Sequence, residues 1–162
     1  MGPSRKTGLR GFRLRRAALL GPPCAAFVLL VASHAIGFPQ VAADAPPLSV
    51  DAAKSLKSPI PTTSDSIGRG KRLYQTHGCA NCHGSDGKAL VEVVANATDL
   101  TDPSVWKNGT DEGLVFRSIR DGAGLAMPPF KAEVTAAEDL WHLVNFVRSL
   151  WPDDKRPPTA KP

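Results

Sequence analysis

Two thiols and an imidazole lie near the middle of the chain, in the string Cys79-Ala80-Asn81-Cys82-His83. Each thiol can add to one vinyl group of a haem and form a thioether, and the two intervening residues set the reach between the vinyl positions. The imidazole that follows directly is then held beneath the iron as an axial ligand. The motif therefore predicts one covalently attached haem c per chain, bound through Cys79, Cys82 and His83.

Two other chemistries use the same residue types. A redox-active disulfide of the thioredoxin kind needs a preceding β-strand in a βαβ frame, whereas the residues before Cys79 have the pattern of an amphipathic helix. A structural zinc site needs four ligands, and two cysteines and three histidines remain once the N-terminal 43 residues are set aside. Cys82 and His83 are also adjacent, which is a poor spacing for one tetrahedral site. Haem attachment is therefore favoured over both alternatives.

A second axial ligand to the iron follows by elimination. The chain has two methionines, and Met1 belongs to the predicted leader. Met127 lies in residues 121–130 (DGAGLAMPPF), where glycines allow the backbone to approach the haem face closely and two prolines stiffen the segment. A methionine that only filled the core would be expected on a periodic apolar face. We therefore predict that Met127 is the iron ligand opposite His83, whereas His77 and His142 are solvated surface residues.

Three amphipathic helices are predicted around these ligands, at residues 66–77, at residues 110–122 and from residue 135 to just before Pro152. An apolar i, i+3, i+4, i+7 pattern supports the third helix, and a capping box at Thr135–Glu138 marks its start. A short helical turn is expected at Asp102-Pro103, while residues 88–98 fit either a short strand or a loop. No hairpin signal supports a sheet, so the predicted fold is all-α.

Composition divides the chain into four parts. Residues 1–43 contain six basic and no acidic residues, with an apolar run at 24–36 that is shorter than the roughly 20 residues a membrane span needs. We predict a signal peptide that is cleaved after Ala43, with an uncleaved anchor as the alternative. The remaining parts are a flexible Pro/Ala/Ser-rich linker at 44–63, the haem domain at 64–151 and a disordered tail at 152–162.

The charge distribution argues against a nucleic-acid partner. The net charge is +5, but residues 44–162 contain 14 basic and 15 acidic residues, so the domain itself is nearly neutral. No basic patch with interleaved aromatic residues is present. We expect redox proteins as donor and acceptor, contact with a membrane only if the leader is retained, and a monomer.

With the motif, loop and helices in place, the sequence resembles the bacterial class I cytochromes c over residues 65–151. The matching positions are Gly70, Tyr74, Cys79–His83, 116–122, Met127-Pro128, Leu143 and Phe146. The resemblance implies that the first and last helices cross at Gly70. It also implies contacts from Trp106 and Arg120 to the haem propionates, with core packing and a surface charge as their alternative roles. The proline that often follows the motif in this family is missing, so the carbonyl group that orients His83 is not identified.

The resemblance implies an electron carrier rather than an enzyme. A haem ligated by His83 and Met127 has no open position, so we expect single-electron transfer between periplasmic or membrane redox partners. The alternative is a fixed or membrane-tethered cytochrome c subunit of a dehydrogenase or oxidase. A haem enzyme or gas sensor in which Met127 is displaced is a third hypothesis.

Overall fold

The computed structural model describes residues 40–89 and 97–158. Within these ranges the secondary structure is helical, with two isolated β-bridges and no strand, which confirms the all-α prediction. The elements are α1 (Val50–Ser55), α2 (Ser64–Thr76), α3 (Ala80–His83), a 3-10 turn (Pro103–Val105), α4 (Glu112–Asp121) and α5 (Ala137–Ser149). No helix in these ranges is both long and apolar enough to cross a membrane. Residues 1–39 of the predicted leader lie outside the described part of the chain. Residues 90–96, which belong to the segment predicted as either a strand or a loop, also lie outside it.

Local capping residues set the ends of α2 and α4 close to the predicted positions. The Thr63 side chain accepts a hydrogen bond from Ser66 N–H and caps α2 one residue before the predicted N-cap at Ser64 or Asp65. Gly78 follows α2 and Gly122 follows α4, both with positive φ. Glycine adopts this left-handed conformation without a steric penalty, and it therefore ends helices efficiently.

The start of α5 differs from the predicted capping box at Thr135–Glu138. The helix begins at Ala137 with Ala136 as N-cap, and no side chain caps it. The reason is that Thr135 pairs with another segment, since its carbonyl accepts the N–H of Val41 at 2.7 Å. The predicted apolar face of α5 is nevertheless buried, at Leu140, Leu143, Val144 and Val147.

Helices α2 and α5 pack directly against each other and form the centre of the domain. A Cβ added at Gly70 would lie 2.0 Å from the backbone oxygen of His142 and 2.7 Å from Cβ of Phe146. One turn later, the rings of Tyr74 and Phe146 pack edge to face with their centroids 5.2 Å apart. The predicted crossing at Gly70 is therefore present, and it needs a residue without a side chain.

Replacing Gly70 with alanine is expected to lower the free energy of unfolding by about 3 kcal/mol or more. The added methyl group would meet backbone atoms of α5, which cannot move aside as a flexible side chain can. Gly68→Ala on the same helix is the matched control, because a Cβ there has only the end of Arg72 within reach, at 3.8 Å. That variant should gain about 0.5–1 kcal/mol from helix propensity. Equal denaturant midpoints for the two variants would contradict the close crossing.

His142 is not the solvated surface residue that the sequence predicts. It is half-buried between α2 and α5, and its Nδ1 lies 2.8 Å from Ser66 Oγ. Ser66 in turn accepts a hydrogen bond from the buried Asn145 amide at 2.8 Å. The hydroxyl group of Ser66 thus joins the two helices through polar contacts, which explains why a histidine off the apolar face is still enclosed.

Stability should fall as His142 becomes protonated. Burial, followed by the positive charge of Arg69, lowers the pKa of His142, against the opposing effects of Asp139, Glu138 and the Ser66 hydrogen bond. The unfolded chain then binds the proton more readily, so this contribution is complete above the unfolded pKa of about 6.5 and is lost as the pH falls below it. The free energy of unfolding should drop more between about pH 7.5 and pH 5 in the native protein than in His142→Gln. Parallel pH profiles would contradict this assignment.

The segment predicted as a flexible linker, 44–63, contains an ordered helix. Ser49 caps α1 by accepting a hydrogen bond from Ala52 N–H, and Ala53 is fully buried. A Cβ at Gly113 of α4 would lie 1.9 Å from the oxygen of Ala53, so the two backbones are in close contact. Ala53, one of the small residues that suggest a linker by composition, is therefore packed against α4.

The predicted disordered tail, 152–162, is also partly ordered. A turn follows Pro152, whose carbonyl accepts the backbone N–H groups of Lys155 and Arg156. The Arg156 guanidinium donates to the Trp151 carbonyl at 2.9 and 3.1 Å. Residues 159–162 lie outside the described part of the chain.

Candidate functional site

The Cys79–His83 motif forms a single helical turn, α3, directly after α2. Cys79 N–H donates to the Tyr74 carbonyl at 3.1 Å, and His83 N–H donates to the Cys79 carbonyl at 3.0 Å. Residues four apart share one face of a helix. Cys79 and His83 accordingly line an inner cavity between α2, α4 and α5. Together with Cys82 they also line an adjoining outer cavity.

The imidazole of His83 is held by a backbone carbonyl that the sequence did not reveal. His83 Nδ1 lies 2.9 Å from the Thr98 oxygen. A carbonyl oxygen can only accept, so Nδ1 carries the proton and Nε2 keeps a free lone pair. This contact supplies the orienting group that family members often provide with a proline segment. A metal-ligating histidine typically has such a partner, which sets both its tautomer and its ring orientation.

Tyr74 connects the helix crossing to the motif. Its hydroxyl donates to the Gly84 carbonyl at 2.7 Å. Burial is the main cause that raises the pKa of Tyr74 well above its ordinary value, so the phenol stays a neutral donor. The hydrogen bond fixes the end of α3, where Gly84 turns the chain away with a positive φ.

The cysteine environment argues against the disulfide alternative. Burial raises the pKa of the Cys79 thiol to about 11, and both thiols are free. Reactive cysteines of the thioredoxin type instead have a lowered pKa, and an α-helix rather than a strand precedes this pair. In the described part of the chain, Cys79, Cys82 and His83 also do not bring three ligand atoms within 4.8 Å of one another, as a zinc site would require.

Met127 lies on a loop that closes over the same cavity. Ala123 N–H donates to the Met127 carbonyl at 3.1 Å, which forms a tight bridge across the loop. The loop begins at Gly122, which has a φ near +84°. A Cβ at this position would lie 2.7 Å from the backbone oxygen of Met127. A glycine at position 122 therefore permits the close approach of these two backbone segments.

The inner cavity lies between α2, α4 and α5, and it shares Cys79, His83 and Met127 with the outer cavity. Apolar side chains from α2, α4 and α5 form much of its wall: Tyr74, Val115, Ile119, Leu143 and Val147. The imidazole of His83 and the thioether of Met127 also line it. The inner cavity thus offers one thiol, one imidazole with a free nitrogen and one thioether, and the adjoining outer cavity adds the thiol of Cys82. Together these groups fit a covalently attached haem.

The two residues suggested for the haem propionates have other partners. Trp106 lines the cavity, but its Nε1 donates to the Asp99 carbonyl at 3.0 Å and its ring packs against Trp151 at 5.3 Å. Arg120 is buried and pairs with Asp121 at 2.7 Å. Trp106 therefore has the packing role that was its alternative, and Arg120 is neither a cavity residue nor an exposed charge.

Residues 65–147 match the family model described as "Cytochrome C oxidase, cbb3-type, subunit III". The chain belongs to this family. This c-type cytochrome is 35% identical over 88 residues to the Cbb3-type cytochrome c oxidase subunit CcoP of Helicobacter pylori (strain 52). That alignment covers 53% of this chain and 28% of the relative. It is 39% identical over 59 residues to the Cbb3-type cytochrome c oxidase subunit CcoP of Rhodobacter capsulatus. That alignment covers 36% of this chain and 18% of the relative. The alignments thus span about a quarter or less of these two relatives' lengths.

Structural comparison supports the same fold. Cytochrome cL of Methylophaga aminisulfidivorans superposes with a TM-score of 0.52 at 19% identity, over 78% of this cytochrome and 97% of that chain. The likeness confirms the predicted small cytochrome c fold. As a c-type cytochrome, the chain is an electron-transfer domain, and its family implies covalently bound haem c.

Proposed function

We propose that this cytochrome is an exported single-electron carrier whose one haem c is attached through Cys79 and Cys82 and ligated by His83 and Met127. Its signal peptide ends at Ala43, and the domain exchanges electrons with periplasmic or membrane redox proteins. The observation that carries the proposal is one apolar cavity lined by both an oriented imidazole and the Met127 thioether.

The chain's own residues fit this role. When bound, the haem iron supplies one-electron chemistry by changing between its ferrous and ferric states. A thioether ligand such as Met127 favours the ferrous state and thereby raises the potential. The hydrogen bond from His83 to Thr98 and the bridge from Ala123 to Met127 keep both ligands in place. Fixed ligands limit reorganisation, and apolar walls limit the entry of water.

The mouth of the outer cavity, whose lining includes Cys82, His83 and Met127, offers a contact surface for a redox partner. Its described lining residues are small, polar or apolar, without a lysine, arginine, aspartate or glutamate. Leu125, at the tip of the Met127 loop, is fully exposed to solvent. A partner would therefore dock here mainly through apolar and neutral polar contacts, and electrostatic steering would be weak.

A second candidate is a fixed or membrane-tethered subunit of an oxidase. The family description and the names of the relatives favour it. Val41, upstream of the proposed cleavage site, also pairs with Thr135 of the domain. A retained N-terminal segment would keep this contact, whereas cleavage after Ala43 would remove it.

A pyridine haemochrome spectrum combined with intact-mass measurement of the purified protein tests the proposal. The spectrum should report two thioether bonds, and the mass should correspond to residues 44–162 plus one haem. A mass that retains residues 1–43 would favour the tethered subunit. A colourless protein with the mass of the bare polypeptide would overturn both candidates.

A further inference from the structure

A buried carboxylate lies at the base of the Met127 loop. Asp121 is the last residue of α4, directly before Gly122, and its side chain is only 4% exposed. One carboxylate oxygen accepts from Arg120 Nη1 at 2.7 Å, and Lys131 Nζ lies 3.8 Å from the same oxygen. The other oxygen accepts the backbone N–H of Leu48 at 2.9 Å. Asp121 thus joins both ends of the loop to a segment 73 residues earlier in the chain.

That earlier segment, residues 45–48, is here named the arm. Its carbonyl groups accept hydrogen bonds from the two cations, Lys131 at Ala45 and Arg120 at Pro46. One carboxylate cannot neutralise two buried cations, so the arm's carbonyls satisfy donors that would otherwise lose their solvation. The arm therefore completes the polar cluster.

Backbone hydrogen bonds beside this cluster hold the two ends of the loop together. The backbone N–H of Phe130 donates to the Ile119 carbonyl at 3.1 Å. The backbone N–H of Lys131 donates to the Arg120 carbonyl, also at 3.1 Å. These bonds close the loop of residues 122–129 onto α4, and the side chains of Arg120 and Lys131 then connect that closure to the arm.

We propose that Asp121 and the arm act together as a brace that holds the Met127 loop closed over the cavity. Asp121 is a positioning residue, because it acts through the loop and does not line the cavity. The inference rests on the proposed ligation by Met127. It goes further, in that a segment outside the family match, at residues 45–48, controls how firmly the thioether is held.

The first test replaces Asp121 with asparagine in the holoprotein. Two buried cations then lose their counter-charge, so the loop should open more often. The ferric protein should lose much of the weak far-red absorption band that a thioether ligand gives. It should also bind added imidazole about tenfold faster, as expected when a charge-assisted hydrogen bond becomes a neutral one. Asp51→Asn, the same change at an exposed carboxylate on α1, should behave like the native protein.

The second test removes only the donor of the arm. Leu48→Pro lacks the backbone N–H that binds Asp121, whereas Leu48→Ala keeps it and shortens the side chain. Faster imidazole binding in Leu48→Pro than in Leu48→Ala supports the brace. Native band intensity and native imidazole rates in folded Asp121→Asn and Leu48→Pro would overturn it.

Native-state hydrogen exchange decides the question if either variant does not fold. In the unmodified protein, the amides of Leu48 and Ala123 should open with the same free energy, because one is bonded to Asp121 and the other to Met127. Independent opening would refute the brace. Met127→Ala separates the two proposals: if it keeps the far-red band, the ligation by Met127 fails and not merely the brace.

Discussion

Cys79→Ala/Cys82→Ala is expected to abolish covalent haem attachment completely and to leave a chain that does not fold. These are the only two free thiols in the described residues, so no other described side chain can form the thioethers. The inner cavity between α2, α4 and α5 would then lack the haem that is proposed to fill it. A domain of this size buries too little apolar surface to tolerate a large void. Haem-dependent colour after denaturation and the helical signal in circular dichroism measure both effects.

Asn81→Ala is the matched control for the double cysteine variant. Asn81 lies between the two thiols and is exposed, and its replacement keeps their spacing. This variant should retain the full covalent haem content and the native helical signal. A covalently coloured, folded Cys79→Ala/Cys82→Ala protein would show that the motif is not the attachment site.

Met127→Ala is expected to keep the haem attached but to lower the reduction potential by on the order of 0.1 V, a modest part of the roughly 0.8 V range over which axial ligands tune haem proteins. The thioether stabilises the ferrous state, and its loss removes that preference. The vacant position should also bind carbon monoxide, which the native protein should exclude. Redox titration and carbon monoxide difference spectra provide the two measurements.

Leu125→Ala is the control for the Met127 variant. Leu125 belongs to the same loop, but its side chain is fully exposed and does not line the cavity. Its replacement should leave the potential and the absence of carbon monoxide binding unchanged. An unchanged potential in Met127→Ala would eliminate this residue as a ligand and would reopen the hypothesis of a haem with a free position.

The residues proposed to hold the haem are local features of the sequence, which is why they could be proposed before the fold was known. The proposed attachment motif is contiguous, and Met127 could be selected because the only other methionine, Met1, is in the predicted leader. The helix ends next to these residues depend on Gly78 and Gly122, whose positive φ is a short-range requirement.

Contacts between distant segments were decided by the tertiary structure alone. Thr98 orients His83 through a backbone carbonyl, a group that every residue carries and that no sequence pattern marks. Residues 44–63 have the composition of a linker, yet Ala53 is buried because Gly113 of α4 admits its backbone. His142 is enclosed for a similar reason, since its polar partner Ser66 is 76 positions earlier.

The sequence by itself therefore determined the chemistry: which atoms are available to attach and ligate a haem, and which three helices surround them. The tertiary structure decided how those atoms are held, through the Thr98 carbonyl, the crossing at Gly70 and the contacts of Asp121 with the arm. The physical reason is that side-chain chemistry is fixed by residue type, whereas hydrogen bonds to backbone groups depend on which segments the folded chain brings together.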